Sequence, residues 1–291
     1  MTRPTVSIAL IQIPCSDNIS DNINRTETRI REAARKGARI VILQELFAWP
    51  YFCREVDERY FDWAEPVPGP TTSRLEILAG ELKVVIVASL FEKRAEGLYH
   101  NTAAVIDADG KYLGKYRKMH IPDDPGFHEK YYFTPGDLGY SVFQTRYGRI
   151  GVLICWDQWF PEAARITAMM GADLLVYPTA IASLPVEAGD TASRYLSAWQ
   201  TIQKSHAVAN GCFVASVNRT GLEGDLNFWG HSFICGPFGE LLAEGGQEEI
   251  TVHCEIDLAL MDHHRTTWPF FRDRRVDTYQ PLTSRWLDWT E

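Results

Sequence analysis

The chain of 291 residues is 45% hydrophobic and 23% charged, a globular balance that argues against a disordered or low-complexity protein and allows a large core. A formal net charge of −9 argues against a nucleic-acid binder, which needs clustered basic surface. Six cysteines, at Cys15, Cys53, Cys155, Cys212, Cys235 and Cys254, form no CxxC pair and no zinc-type spacing, so neither a disulfide framework nor a structural zinc is expected.

In chain order, Thr5–Ile13 reads as a first strand rather than a signal segment, because no small-residue cleavage site follows it. A polar helical pattern then runs to about Lys36 and stops at Gly37, and strand 39–43 leads to Glu45, which makes a β-α-β unit. A helix over 71–82 precedes a Val-rich strand at 83–90. Strands near 102–107 and 111–117 pair across Asp109-Gly110 and deliver Lys118. Residues 121–139 are irregular and rich in Pro, Gly and aromatics, and strands 141–146 and 149–154 then flank Tyr147-Gly148, the second ending at Cys155. Helix 161–170, strand 173–177, helix 191–209 and strand 212–217 repeat the β-α-β logic, and strands near 230–235, 239–244 and 249–256 form a late meander.

No apolar run has the length of a membrane helix, and Pro178 and Pro185 interrupt the nearest candidate, so a cytoplasmic protein is expected. With no repeat and no low-complexity linker, residues 1–291 read as one domain. Parallel crossovers mixed with hairpins fit an α/β fold, a four-layer α-β-β-α sandwich of two mixed sheets covered by helices. The last stretch, about 262–291, shows no clear period but carries Trp268, Phe270, Phe271, Trp286 and Trp289. Aromatics in such number are costly on a monomer surface, so this extension is expected to pack at a subunit interface.

Three segments bring ionisable or nucleophilic groups to notable places, two at the ends of apolar strands and one in a run of cations after the hairpin signal Asp109-Gly110. Ala38–Phe47 ends on Glu45, Gly114–Pro122 supplies Lys118, and Ile150–Glu162 presents Cys155 where a strand gives way to a helix start at Pro161. Free N–H groups and the dipole at a helix start favour a thiolate and could hold an oxyanion. Taken singly, each has a blander reading: a packed cysteine, a solvated strand end, a wet basic patch.

Together, Glu45, Lys118 and Cys155 resemble the Glu-Lys-Cys triad of the nitrilase superfamily of carbon–nitrogen hydrolases, in the family's chain order. The resemblance runs from Val6 to about Leu282 and is closest to the N-carbamoylputrescine amidohydrolase branch. Its most specific pieces are Cys155-Trp156-Asp157-Gln158-Trp159-Phe160-Pro161-Glu162, the run Ile121–Lys130, and Trp268–Arg275. It implies the same sandwich, a homo-oligomer of at least two copies, and hydrolysis of an N-carbamoyl amine with no metal and no cofactor. Cys155 would be the nucleophile, Glu45 the base and Lys118 the oxyanion stabiliser. Glu129 matches a second glutamate of the family's sites, placing Lys118 or the substrate.

For N-carbamoylputrescine the distal ammonium calls for a carboxylate or an aromatic face. Asp123 and Glu187 are candidates, with Asp190 a more ordinary helix cap. Tyr51 and Trp156 would be walls, and Ser183 lies in the loop Thr179–Pro185. That loop departs from the branch's pattern, because Leu184 stands where a glutamate is expected. The alternatives are an N-carbamoyl amino acid or β-ureido acid hydrolase or an amidase, for which Arg194 and Arg219 would be the available cations, and, more remotely, a non-catalytic binding module of the same fold. The eight histidines form no ligand motif.

Overall fold

The computed structural model describes residues 4–187 and 189–289. The chain begins with β1 (Thr5–Gln12), α1 (Ile19–Arg35), β2 (Ile40–Leu43), α2 (Pro70–Leu82), β3 (Val85–Ala95), β4 (Leu98–Ile106) and β5 (Tyr112–Arg117). The one-turn α3 (Glu129–Tyr132) leads to β6 (Ser141–Thr145), β7 (Gly148–Val152), α4 (Pro161–Met169), β8 (Leu174–Pro178), β9 (Ala182–Ser183) and α5 (Asp190–Asn210). It closes with β10 (Phe213–Val217), β11 (Thr220–Glu223), β12 (Leu226–Trp229), β13 (Phe233–Cys235), β14 (Leu241–Glu244), β15 (Ile250–Asp257) and α6 (Ala259–Thr267).

Side-chain alternation along the strands explains the layering, because successive residues of a strand face opposite sides of its sheet. In the first sheet, ordered β15-β1-β2-β3-β4-β5, Ile8, Leu10, Val85 and Val87 join one cluster, while Ala9, Ile11, Ile86 and Ala88 join another. The first set shares its cluster with Val176 and Val214 of the second sheet, ordered β14-β13-β10-β8-β7-β6. The other set meets Ile23 and Ile30 of α1 and Leu75 and Leu78 of α2. On the far side of the second sheet, Ala163 and Ala164 of α4 and Trp199 and Ala207 of α5 complete the packing. The expected α-β-β-α sandwich is the observed architecture. Each sheet has three parallel strands at its centre, β1, β2 and β3 in one and β7, β8 and β10 in the other, so two crevices at carboxyl ends of parallel strands lie close together.

Local signals set the element ends. Asn18 caps α1 by accepting the Asp21 N–H at 3.1 Å, and Gly37 at φ 96° lets the chain leave that helix. Pro161 stands at the start of α4, where its missing N–H costs no hydrogen bond.

Three features differ from the sequence expectations. The strand before Cys155 stops at Val152: Leu153 N–H still donates to Val176 O at 3.0 Å, but the Asp157 carboxylate takes the Ile154 N–H at 2.9 Å and turns the chain into a 3₁₀ segment, Cys155–Trp159. A small third sheet, β11-β12-β9, lies where no strands were predicted, its strands being only two to four residues long. The C-terminal extension starts inside a helix, since α6 covers 259–267 and buries Met261 and His264. Among the described residues no helix is long and apolar enough to cross a membrane.

Gly151 of β7 is what lets α4 lie close to the sheet. A Cβ there would sit 2.4 Å from Thr167 Cγ2, 2.9 Å from Leu175 Cδ2 and 3.0 Å from Ala172 Cβ. Overpacking of this kind costs about 1–3 kcal/mol. Gly151→Ala is therefore expected to lower the free energy of unfolding by that amount, seen as a lower urea midpoint by circular dichroism; an unchanged midpoint would refute the close-packing argument.

Candidate active site

Four ionisable or nucleophilic side chains meet, three of them just past the carboxyl ends of strands and one at the start of a short helix. Glu45 lies two residues past β2, Lys118 directly follows β5, Cys155 lies three past β7, and Glu129 opens α3. All four are buried, Cys155 alone retaining a trace of exposure. Lys118 Nζ donates to Glu45 Oε1 at 2.8 Å and to Glu129 Oε2 at 2.6 Å. Asn101 Nδ2 also donates to Glu45 Oε1, at 2.7 Å, and Tyr51 OH donates to Glu129 Oε1 at 2.8 Å. Glu45 Oε2 is buried and makes no hydrogen bond, which leaves one carboxylate oxygen able to accept a proton.

Cys155 has φ 41°, a left-handed conformation that costs a non-glycine residue on the order of 1–3 kcal/mol and persists only where its surroundings fix it. Asp157, two residues on, supplies the fixing. Besides the Ile154 N–H it accepts Tyr116 OH at 2.7 Å and the His120 backbone N–H at 3.0 Å, and it contacts His120 Nδ1 at 2.7 Å. The His120 ring in turn stacks on Phe160 with centroids 3.7 Å apart. One buried carboxylate thus ties the turn at Cys155 to the segment just after Lys118.

Burial sets the electrostatics. It pushes the Cys155 thiol well above its ordinary range, the Glu45 charge adds to this, and Lys118 offsets only part, which favours the neutral thiol. Burial alone would lower the Lys118 ammonium, but Glu129 and Glu45 together outweigh it and hold the group charged. Glu129 is raised to about 7, first by burial and also by Glu45, although Lys118 and Tyr51 pull the other way. Two carboxylates sharing one ammonium away from water cannot both be fully compensated by it.

A cavity of about 490 Å³ opens onto Cys155 and Glu129. Its walls are mostly apolar: Pro122, Pro125, Phe127, Trp156, Trp159, Ile181, Leu184 and Trp229, with Tyr195 at one side. Of the predicted binding residues, Trp156 and Glu187 lie on this wall. Tyr51 is behind it, holding Glu129. Asp123 is exposed and faces His128 at 3.8 Å, and its neighbour Asp124 takes the place on the wall. Ser183 belongs instead to a neighbouring cavity of about 350 Å³. Leu184 does line the main cavity, and its N–H is bonded by Glu187 Oε2 at 2.8 Å. Neither cation considered for a substrate carboxylate is on the wall: Arg194 is an exposed partner of Asp190 at 2.6 Å, and Arg219 is fully buried. Asp190 accordingly has its own surface partner.

Asn101 and Asp157 are site residues that the sequence alone does not single out. Asn101 had a usable signal, since His100-Asn101-Thr102 interrupts the apolar pattern of a strand that is buried there throughout. Among the described residues no group of three or more potential ligand side chains could hold a metal ion.

A buried Glu-Lys-Cys cluster at the strand ends of an α-β-β-α sandwich defines a class, and the comparisons agree with it. The carbon–nitrogen hydrolase model matches residues 7–266, and the chain belongs to that family, within the nitrilase superfamily. It is 47% identical over 287 residues to the N-carbamoylputrescine amidase of Solanum lycopersicum, covering 95% of this chain and 94% of that one. It is 39% identical over 287 residues to a citrullinase of Francisella tularensis, covering 97% and 99%. Among solved structures, a carbon–nitrogen hydrolase from Helicobacter pylori G27 superposes with a TM-score of 0.95 at 42% identity, covering 98% of this chain and 100% of that one. The protein is accordingly a hydrolase of carbon–nitrogen bonds other than peptide bonds.

Glu129 gives the cluster a pH signature. Its carboxyl is raised in the fold from 4.5 to about 7, so between those values the folded protein holds a proton that the unfolded chain has released. This group's contribution to stability is therefore full below pH 4.5 and falls as pH rises towards 7. Glu129→Gln is expected to remove that decline: between pH 5 and 7 the urea midpoint of the variant should fall less, or rise more, than that of the parent. Parallel curves would overturn the assignment.

Proposed function

We propose that the protein hydrolyses the carbamoyl C–N bond of an N-carbamoyl amine, with N-carbamoylputrescine the best fit. The observation that carries this reading is the charge of the cavity: a mostly apolar space opening onto Cys155 whose ionisable wall residues besides the cysteine and Tyr195 are Asp124, Glu129 and Glu187, with no Lys or Arg among the described residues. Such a wall favours a substrate with a cationic tail and penalises one with a carboxylate. Glu187, adjacent to the cavity turn at Leu184, takes the part for which the usual glutamate at 184 is missing, with Asp124 as the second carboxylate.

In this reading the free Glu45 Oε2 takes the Cys155 thiol proton as sulfur attacks the ureido carbon. The oxygen of that carbonyl becomes an oxyanion held by the Lys118 ammonium, with the backbone N–H of Trp156 in the first turn of the 3₁₀ segment as second donor. Glu45 returns the proton to the departing nitrogen and ammonia leaves, so an S-carbamoyl enzyme remains. Water, deprotonated by Glu45, then attacks the same carbon and expels the Cys155 sulfur, which regains its proton. The N-carboxyamine product loses carbon dioxide to give the free diamine. The amidohydrolase names among the relatives support the reaction class, and the Solanum relative's name supports the substrate.

Purified protein is expected to release ammonia from N-carbamoylputrescine, and Cys155→Ala to abolish the release. Glu187→Gln should raise KM for the diamine about tenfold or more, as loss of a charge-assisted contact does, with a smaller effect on kcat. Faster turnover of carbamoylated amino acids or of citrulline than of carbamoylated diamines would sink the substrate assignment and favour the ureido-acid reading.

We also propose that the active form is a dimer or larger homo-oligomer in which the C-terminal extension is covered by another copy. Trp286 and Trp289 are 80% and 89% exposed, and Leu282 and Leu287 are exposed beside them in sequence; large side chains left this open favour burial against a second surface. Sedimentation velocity at micromolar concentration should show association that Trp286→Ser combined with Trp289→Ser weakens. A monomeric parent protein would contradict the proposal.

A further inference from the structure

Arg219, between β10 and β11, is fully buried yet does not reach the cavity. Its guanidinium gathers the backbone of the segment that carries Glu45. Nη2 donates to Glu45 O at 2.8 Å and Leu46 O at 3.1 Å, and Nη1 and Nη2 each reach Trp49 O at 3.3 Å. Nη1 also donates to Glu223 Oε1 at 2.7 Å, and Glu223 Oε2 accepts the Tyr51 N–H at 2.5 Å. The Phe228 ring covers the guanidinium, with Cζ 5.2 Å from its centroid.

Leu46 lies at φ 49°, so the chain directly after Glu45 is in a left-handed conformation that its neighbours must impose. On the N–H side, Leu46 N donates to Ser89 Oγ at 3.1 Å, Ser89 Oγ to Asn101 Oδ1 at 3.0 Å, and Asn101 Nδ2 to Glu45 Oε1. Arg219 fixes the carbonyl side. We propose that Arg219, with Glu223, is a positioning residue for both carboxylates of the site. It sets the backbone of 45–49 so that the Glu45 carboxylate faces Lys118, and through Glu223 and Tyr51 it sets Glu129. The links form a closed ring: Arg219 to Glu223, to Tyr51, to Glu129, to Lys118, to Glu45, and from the Glu45 carbonyl back to Arg219. A lysine could not replace the arginine, because a single ammonium lacks the planar fork that reaches several carbonyls and a carboxylate at once. The inference rests on the reading of Glu45, Lys118 and Cys155 as the reacting set.

The test uses Arg219→Lys and Glu223→Gln in the full-length protein. Glu223→Gln keeps an oxygen acceptor for the Tyr51 N–H and removes only the charge that holds Arg219. The rate of Cys155 alkylation by iodoacetamide, which does not depend on which amine is the substrate, is measured across pH, together with kcat and KM for N-carbamoylputrescine. In folded variants both the alkylation rate and kcat should fall about tenfold or more, since small displacements of reacting groups cost this much, while KM stays within about twofold. Should Arg219→Lys fail to fold, Glu223→Gln decides alone. A Glu223→Gln protein that unfolds at lower urea but keeps the parent's alkylation rate and kcat would overturn the proposal and leave the pair as a structural brace. Parallel measurement of Cys155→Ala separates the two claims: residual ammonia release there removes the nucleophile assignment itself, whereas an inactive Cys155→Ala beside a normal Glu223→Gln removes only the role of the ring.

Discussion

An ammonium with no contact to water, held between two carboxylates, is the constraint around which this molecule is organised. Stripping water from a charge of that size costs several kcal/mol even after relaxation, and only close, well-directed partners offset it. Lys118 has such partners in Glu45 and Glu129. They come from three separate elements, the ends of β2 and β5 and the start of α3, so the sheets must be in register for the cluster to exist. The same burial then governs the sulfur. Burial and Glu45 push the thiol up towards its protonated form, and in the proposed reaction it becomes a nucleophile by giving its proton to a base within the cluster. Stability and reactivity therefore draw on one set of contacts.

Around the cluster the chain separates tasks by layer. The inter-sheet core is dominated by apolar packing, with Val85, Val87, Val176 and Val214 among its members. Much of the buried polar network gathers around the cluster, where Asn101 and Ser89 of β4 and β3, Asp157 after β7 and Arg219 after β10 are each enclosed and each bonded. Buried polar groups survive in a fold when their hydrogen bonds are met. Asp157 meets four such contacts and holds the strained turn at Cys155, while Arg219 meets the carbonyls of the turn after Glu45.

The layers and most strands were legible in the sequence because buried parallel strands read as apolar runs with abrupt ends, and Glu45 stands at such an end, whereas Lys118 follows an antiparallel edge strand marked by the Asp109-Gly110 hairpin signal. Cys155 was found for the same reason as Glu45, although its strand stops earlier than the apolar run does. The run continues through Leu153 and Ile154, and only the three-dimensional capture of Ile154 N–H by Asp157 breaks the ladder. Glu129 carried no local signal and was legible only through resemblance to a family. The sheet β11-β12-β9 was illegible, since its strands are too short for a period of two to emerge and β9 pairs with β12 about 45 residues later. Arg219 invited the wrong role for a related reason. A lone arginine in a sequence looks like a ligand for anions, and nothing local tells that backbone carbonyls some 170 residues away will occupy it. Asp123 and Asp124 differ by one position in a loop, and loop sequences do not fix which of two neighbours turns inward.

The short sheet has an evolutionary consequence. Ala182 and Ser183 pair with Phe228 and Asn227, so one edge of the cavity is fastened to the same excursion that carries Arg219 and Glu223. Leu184 and Glu187 lie immediately beyond that fastening. Replacements at 184–187 can thus alter what the cavity accepts while the pairing at 182–183 and the ring behind it stay in place. Lineages sharing this scaffold could diverge in the amine or amide they recognise by exchanging a few side chains on one unfastened turn, leaving the reacting groups as they were inherited.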